Sequence, residues 1–105
     1  MITDNRAEKA LRYLAETDET CANAKAVMER MEYKAKAIRH QVFLMEQGTV
    51  AERTAKAEVD HDHQNALLQY FDALETYNAI ANKRETERIV LDTWRTVSAN
   101  RRQGA

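Results

Sequence analysis

The residues best equipped for binding chemistry lie toward the C-terminal end. From Lys83 onward the chain carries Lys83, Arg84, Arg88, Arg95, Arg101 and Arg102 against Glu85, Glu87 and Asp92, a local net charge of +3, while residues 1 to 82 carry −4. Arg88, Arg95 and Arg102 recur every seven residues. On a helix that spacing lines them up in one row, with Arg84 one turn earlier. Trp94 stands among them. A row of cations neutralises phosphates and an indole stacks on an unpaired base, the combination that holds single-stranded nucleic acid. The nucleic-acid or partner-binding residues expected from this pattern are Arg84, Arg88, Trp94, Arg95, Arg101 and Arg102. The same residues have a plainer use, with Trp94 closing a bundle core and the arginines solvated or paired to Glu8 and Glu16. Because the whole chain carries only −1, binding nucleic acid would require several subunits to cluster these ends.

Other chemistry-bearing residues point to less. Asp60-His61-Asp62-His63 has the composition of a metal site. On a helix, however, residues two apart face nearly opposite sides, so His61 and His63 cannot share an ion. Of the two, only His63 falls near an apolar stripe. Cys21 has no histidine close in sequence and reads as a small apolar seam residue. There is no glycine-rich phosphate loop, no paired carboxylates beside a polar pocket and no nucleophile beside a base. The expectation is a protein that is not an enzyme, with no metal, no cofactor and no small-molecule substrate.

The elements that position these residues pivot on Gln47-Gly48-Thr49. Gly48 is one of two glycines, and there is no proline. A glycine after a helical run reaches the left-handed conformation that ends a helix without steric cost. Thr49 followed by Glu52 is a capping box that starts the next helix. So short a connection favours antiparallel neighbours. The predicted fold is all-α, a long antiparallel helical hairpin of coiled-coil character forming one domain. Arm 1 spans about 4–47, the turn 47–49 and arm 2 about 50–100, with a frayed tail at 101–105.

Arm 1 carries a heptad seam. One row is Ala7, Leu14, Cys21, Met28, Ala35 and Val42; the other is Ala10, Thr17, Ala24, Met31, Ile38 and Met45. Only Thr17 among the twelve is polar, which is the signature of coiled-coil packing. Glu16-Thr17-Asp18-Glu19-Thr20 interrupts it. Thr17 and Asp18 are N-cap types, so arm 1 is either one helix or a helix over about 5 to 16 followed by a kink near residues 16–20. Arm 2 shows a broader stripe: Val59, Ala66, Ala73 and Ile80, then Leu67, Leu74 and Ala81, with Tyr70 and Tyr77 between. The polar run Asn82 to Arg88 follows, and the apolar pattern resumes at Ile89, Val90, Leu91, Trp94 and Val97. A pivot at Gly48 sets residue i opposite residue 96 − i, twice 48 less i. Basic 25–39 then faces 57–71, and no Lys or Arg occurs from Ala57 to Asn82. Val42-Phe43-Leu44-Met45 is apolar on all sides of a helix, so the turn end needs cover beyond its own hairpin. The expected oligomer interface is Val42, Phe43, Leu44, Tyr70, Phe71, Leu74 and Tyr77, closing a homo-oligomeric helical bundle.

At 105 residues, 31% charged and 44% hydrophobic, the chain is too apolar for a disordered one. No window approaches the roughly 18 apolar residues of a membrane span. The start, Met-Ile-Thr-Asp-Asn-Arg, lacks a signal-peptide core, and a single cysteine excludes an internal disulfide. A soluble cytoplasmic protein without membrane partners is expected.

Three stretches carry a resemblance: Arg12-Tyr13-Leu14-Ala15-Glu16-Thr17-Asp18, Glu46-Gln47-Gly48-Thr49-Val50-Ala51-Glu52-Arg53, and Trp94-Arg95 with Asn100-Arg101-Arg102-Gln103-Gly104. Together they resemble small helical proteins of tailed bacteriophages and prophages. The resemblance implies a product of the bacterial host's cytoplasm, from early gene blocks that handle DNA. With it, the leading expectation is an accessory protein of DNA recombination or replication, binding single-stranded DNA or a recombinase. The competing expectations are an inhibitor or adaptor acting on a host protein, and a structural assembly part. The small secreted hairpins of the type VII secretion system share the length and the central turn. They carry Trp-x-Gly where this chain has Glu46-Gln47-Gly48, and their Tyr-x-x-x-Asp/Glu signal is missing, since Ala81 stands four residues after Tyr77.

Overall fold

The computed structural model describes residues 1–104. They form three helices and, among the described residues, no strand: α1 (Asp4–Met45), α2 (Val50–Val59) and α3 (His61–Gly104). The fold is all-α, a helical hairpin as composition and turn chemistry predict. The hairpin divides into two compact units. Unit 1 pairs residues 1–22 with residues 78 onward, and unit 2 comprises Asn23–Tyr77.

α1 runs unbroken through Glu16–Thr20, so no kink or separate first helix forms there. Thr17 does not act as a cap. Its hydroxyl donates 2.7 Å back to the Tyr13 carbonyl, four residues earlier, and so stays within the helix. The seam is realised closely. Eleven of its twelve positions are buried or half-buried, and the exception is Met45, which is 78% exposed. Its deepest members are alanines, Ala7, Ala10 and Ala35, so the facing helix approaches closely over little volume.

Arm 2 departs from expectation. It is two helices, divided at Asp60, rather than one from 50 to 100. Asp60 takes φ −58° and ψ 135°, outside the helical region, and its Oδ2 accepts the His63 N–H at 3.0 Å. It is thus the N-cap of α3. Val59, expected on the apolar stripe, is 76% exposed, and Ala57 is the buried residue of α2. The break allows α2 to lie against the end of α1. α1 has no basic residue in its last turn, and its final carbonyls need donors. α2 supplies one, as Arg53 Nε donates to the Phe43 carbonyl at 3.1 Å, and it also braces the turn, as Lys56 Nζ donates to the Gln47 carbonyl at 3.1 Å. The Arg53 guanidinium also lies 4.2 Å from the centroid of the Phe43 ring. The tail differs as well. Residues 101–104 remain helical, with Arg101 and Arg102 in the last turn, where cations favour the negative end of the helix dipole. Ala105 lies outside the described residues.

The turn follows its sequence. Gly48 has φ +121°, and Thr49 caps α2 by accepting the Glu52 N–H at 3.1 Å. A Cβ on Gly48 would collide with the Glu52 carboxylate. Gly48→Ala should therefore cost on the order of 1–2 kcal/mol, because the left-handed region is closed to alanine at this φ. Urea denaturation checks this, and an unchanged midpoint would mean that the turn relaxes without cost.

Candidate functional site

The predicted binding residues fall in unit 1, around a small core. Ala7, Ala10 and Leu91 are buried together, with Leu14, Val90 and Trp94 packed against them. Trp94 is therefore part of the packing, and its Nε1–H donates to Asp4 Oδ1 at 2.8 Å. A carboxylate at the edge of the indole repels a phosphate rather than inviting it. Arg84 is also committed internally. Its Nη1 donates to the Leu14 carbonyl and to Thr17 Oγ1, both at 2.7 Å, and Nη2 to Asp18 Oδ1 at 3.3 Å. Only 21% of its side chain is exposed.

The remaining arginines are on the surface. Arg88 pairs with Glu85 and Arg95 with Asp92 at 3.7 Å, each three residues back on its own helix. Arg101 Nη2 lies 2.8 Å from Met1 Sδ, and Arg102 is exposed. The six expected site residues thus separate into two inward-facing groups, Arg84 and Trp94, and four outward-facing cations. Glu8, expected to face this end, pairs with Arg12 of its own helix at 3.3 Å.

One pair escaped the sequence reading. Arg6 donates two hydrogen bonds to Glu87, from Nη1 at 2.6 Å and Nη2 at 2.8 Å. Glu87 is only 8% exposed. The hydrogen bond from Arg6 holds the Glu87 carboxyl below its ordinary value of 4.5; burial opposes this, while the charges of Arg6 and Lys83 support it. The signal was present in the seam itself, which continues through the polar run as Ile80, Arg84, Glu87, Leu91 and Trp94 at helical spacing. Arg84 and Glu87 are seam residues with polar partners, and Thr17, the polar exception of arm 1, is one of those partners.

This geometry fixes a pH response. A carboxyl whose folded pKa lies below its unfolded value releases its proton more readily in the native state. The stability it adds is present above about pH 4.5 and is lost as pH falls through the folded value. Glu32, held down first by the hydrogen bond from Lys36, acts in the same direction. Thermal melts should be flat near neutrality and fall in acid, and Glu87→Gln should flatten that acid limb. A Glu87→Gln profile parallel to wild type would remove Glu87 as a source of the acid sensitivity.

Unit 2 offers a second surface. A groove of about 640 Å³ runs between α1 and α3, with Ile38, Val42 and Met45 on one wall and Ala66 on the other. A further recess of about 380 Å³, sharing Gln69, extends it past Val27, Met31 and Ala73. α2 lines neither recess. On the α2 side, a smaller cavity of about 330 Å³ lies between Arg39, Phe43 and Ala57. Of the expected oligomer residues, Val42 thus lines the open groove, and Phe43 is half-buried beneath Arg53. Tyr70, Leu74 and Tyr77 are half-buried, while Leu44 and Phe71 are exposed. Tyr70 and Phe71 stack obliquely, with centroids 5.5 Å apart.

Register and charge behave largely as expected. Lys83 lies 4.5 Å from the centroid of the Tyr13 ring, on the 96 − i register. His63 is two residues off it, with Nδ1 3.1 Å from the Ala35 carbonyl. A carbonyl can only accept, so Nδ1 is the donor in this contact. His63 is 3% exposed, on the apolar stripe as its position predicts. Arg39 pairs with Glu58 at 3.6 Å and Lys34 donates to Gln69 at 3.2 Å, so basic 25–39 does face the stretch expected. No group of three potential metal-binding side chains occurs among the described residues, and no described helix is long and apolar enough to cross a membrane. Comparison with known family models, curated proteins and solved structures finds no match to this chain.

Proposed function

We propose that the chain is a non-enzymatic accessory protein that acts by holding a protein partner, with the open groove of unit 2 as its working surface. The observation that carries this reading is the uncovered apolar wall of α1. Met45 is exposed, and Ile38 and Val42 are half-buried beside it. Concave clefts are the usual sites of recognition, this one sets Ile38, Val42, Met45 and Ala66 among charged and amide side chains, and a groove between two helices suits an added helix. The resemblance to phage proteins makes the partner a phage or host protein of the bacterial cytoplasm, such as a recombinase. A photo-crosslinking residue placed at Ile38 tests this in phage-infected cells. One defined partner should be captured from Ile38 and not from Ile89, which lies in unit 1. Equal labelling from both positions would defeat the reading.

A second reading keeps single-stranded DNA as the ligand, because Arg88, Arg95 and Arg102 remain exposed on one row of α3. Its strength is reduced by the loss of Arg84 and Trp94 to internal contacts. Titration of a labelled oligonucleotide at low and high salt, with wild type and Arg88→Ala/Arg95→Ala, decides it. No binding at low salt, or binding indifferent to both substitutions, removes it. Self-association through exposed Leu44 and Phe71 belongs to the same set of proposals and is read by sedimentation equilibrium. A monomer at micromolar concentration would exclude it.

A further inference from the structure

We propose that the occupant of the unit 2 groove is an amphipathic helix of a partner protein whose flanks carry lysine or arginine; this rests on the reading of the groove as the working surface. The shape favours a helix. On α1, Met31, Ile38 and Met45 are spaced by seven residues, and across from them Ala66 and Ala73 are spaced likewise. Rows of period seven receive the ridge of a further helix. Ala73 lets its backbone come close, Ala66 is already buried in the floor of the groove, and the flexible methionines conform to its side chains.

Charge fixes the chemistry of the flanks. The groove and its extension are bordered by Glu46, Asp60, Asp62 and Asp72, with Lys34 as the one base. Asp60 is occupied in capping α3. Glu46 has Lys56 at 3.8 Å, an exposed pair of small worth. The rim is therefore net negative, and charge complementarity of this kind sets partner choice and speeds encounter. It disfavours single-stranded nucleic acid, whose phosphates would meet carboxylates.

It also disfavours a second copy of this chain. Two such grooves face to face bring like charges together. The chain's own basic stretch interleaves Arg88 and Arg95 with Glu85 and Asp92, which already pair with them. Within residues 85–95 little net charge remains for the rim.

Two synthetic helical peptides of identical apolar spacing test this, one with lysine flanks and one with glutamate flanks, followed by fluorescence anisotropy. The lysine peptide should bind at least about tenfold tighter, and that preference should shrink as salt is raised from 0.05 to about 0.5 M. Asp62→Asn/Asp72→Asn should remove most of the preference. Val27→Ser/Met45→Ser should weaken both peptides several-fold. All four positions lie on open surface, and circular dichroism checks that helicity is unchanged. Equal binding of the two peptides, or a lysine preference untouched by Asp62→Asn/Asp72→Asn, overturns the basic-helix assignment. If neither peptide binds while Ile38 still crosslinks a defined partner, the groove reading stands and the helix assignment falls. If Ile38 captures nothing, the groove reading itself falls.

Discussion

Glu87→Lys should lower the thermal midpoint by roughly 10 °C, and adding Arg6→Glu should recover most of that loss. Glu87 is buried to all but 8%, and both its oxygens are held by one guanidinium. Bidentate pairing of this kind is strong because it is charge-assisted and geometrically matched. A lysine at 87 would place an ammonium against Arg6, with Lys83 one turn away, and leave no acceptor. Arg6 keeps 39% of its side chain exposed, so it can turn toward water. That keeps the loss below the cost of two fully buried like charges. The double variant restores opposite charges with the sign exchanged. A cycle of the four proteins measures the coupling directly. Equal midpoints for Glu87→Lys and the double variant would show that Arg6 and Glu87 do not act as a pair.

The second large effect is expected at Leu91, the largest of the buried apolar residues described in unit 1. It is 7% exposed and packs with Ala7 and Ala10, bordered by Leu14, Val90 and Trp94. Leu91→Ala removes a buried isobutyl group and leaves its space facing two alanines. Alanines have no side chain with which to fill it, so collapse is limited, and the loss should be about 2–4 kcal/mol. For a fold with so slim a core this is a large share of total stability. In urea the midpoint should fall with little change in slope. Leu68→Ala, at an exposed position of α3, serves as control and should lie within about 0.5 kcal/mol of wild type. Similar losses at the two positions would contradict the assignment of the core.

The fold was legible because its signals are local and agree. A glycine with positive φ, a threonine cap and a heptad seam each specify one step, and together they place the turn and the facing surfaces. The Asp60 break was hidden because it uses neither glycine nor proline. One aspartate leaves helical dihedrals and caps the next helix, and in sequence it merges with the neighbouring charges. The polar run 82–88 misled for the opposite reason. Taken as a polar gap between two apolar patterns, it conceals Arg84 and Glu87 as seam residues, whose partners lie about 70 to 80 residues away in sequence. Trp94 shows the limit for the candidate site. An indole suits a stacking platform and a core boundary equally, and only the positions of Asp4, Ala7 and Leu91 separate the two uses.

A seam made largely of alanine and methionine resists only weakly a slide of one helix past the other by a heptad. Within unit 1 such a slide would bring Arg84 to the level of Ala10 or Ala24 instead of Thr17, neither of which has a side-chain oxygen. Moved the same way, Glu87 would lose Arg6, and in one direction it would meet Tyr13. Misaligned pairings therefore strand two charges at once, while the native alignment satisfies both. The two polar contacts act as a key cut for one position. Their worth lies less in tightening the correct pairing than in rejecting its neighbours. Replacing all four side chains with alkyl groups would yield a chain of similar helicity and comparable melting temperature that no longer chooses between alignments.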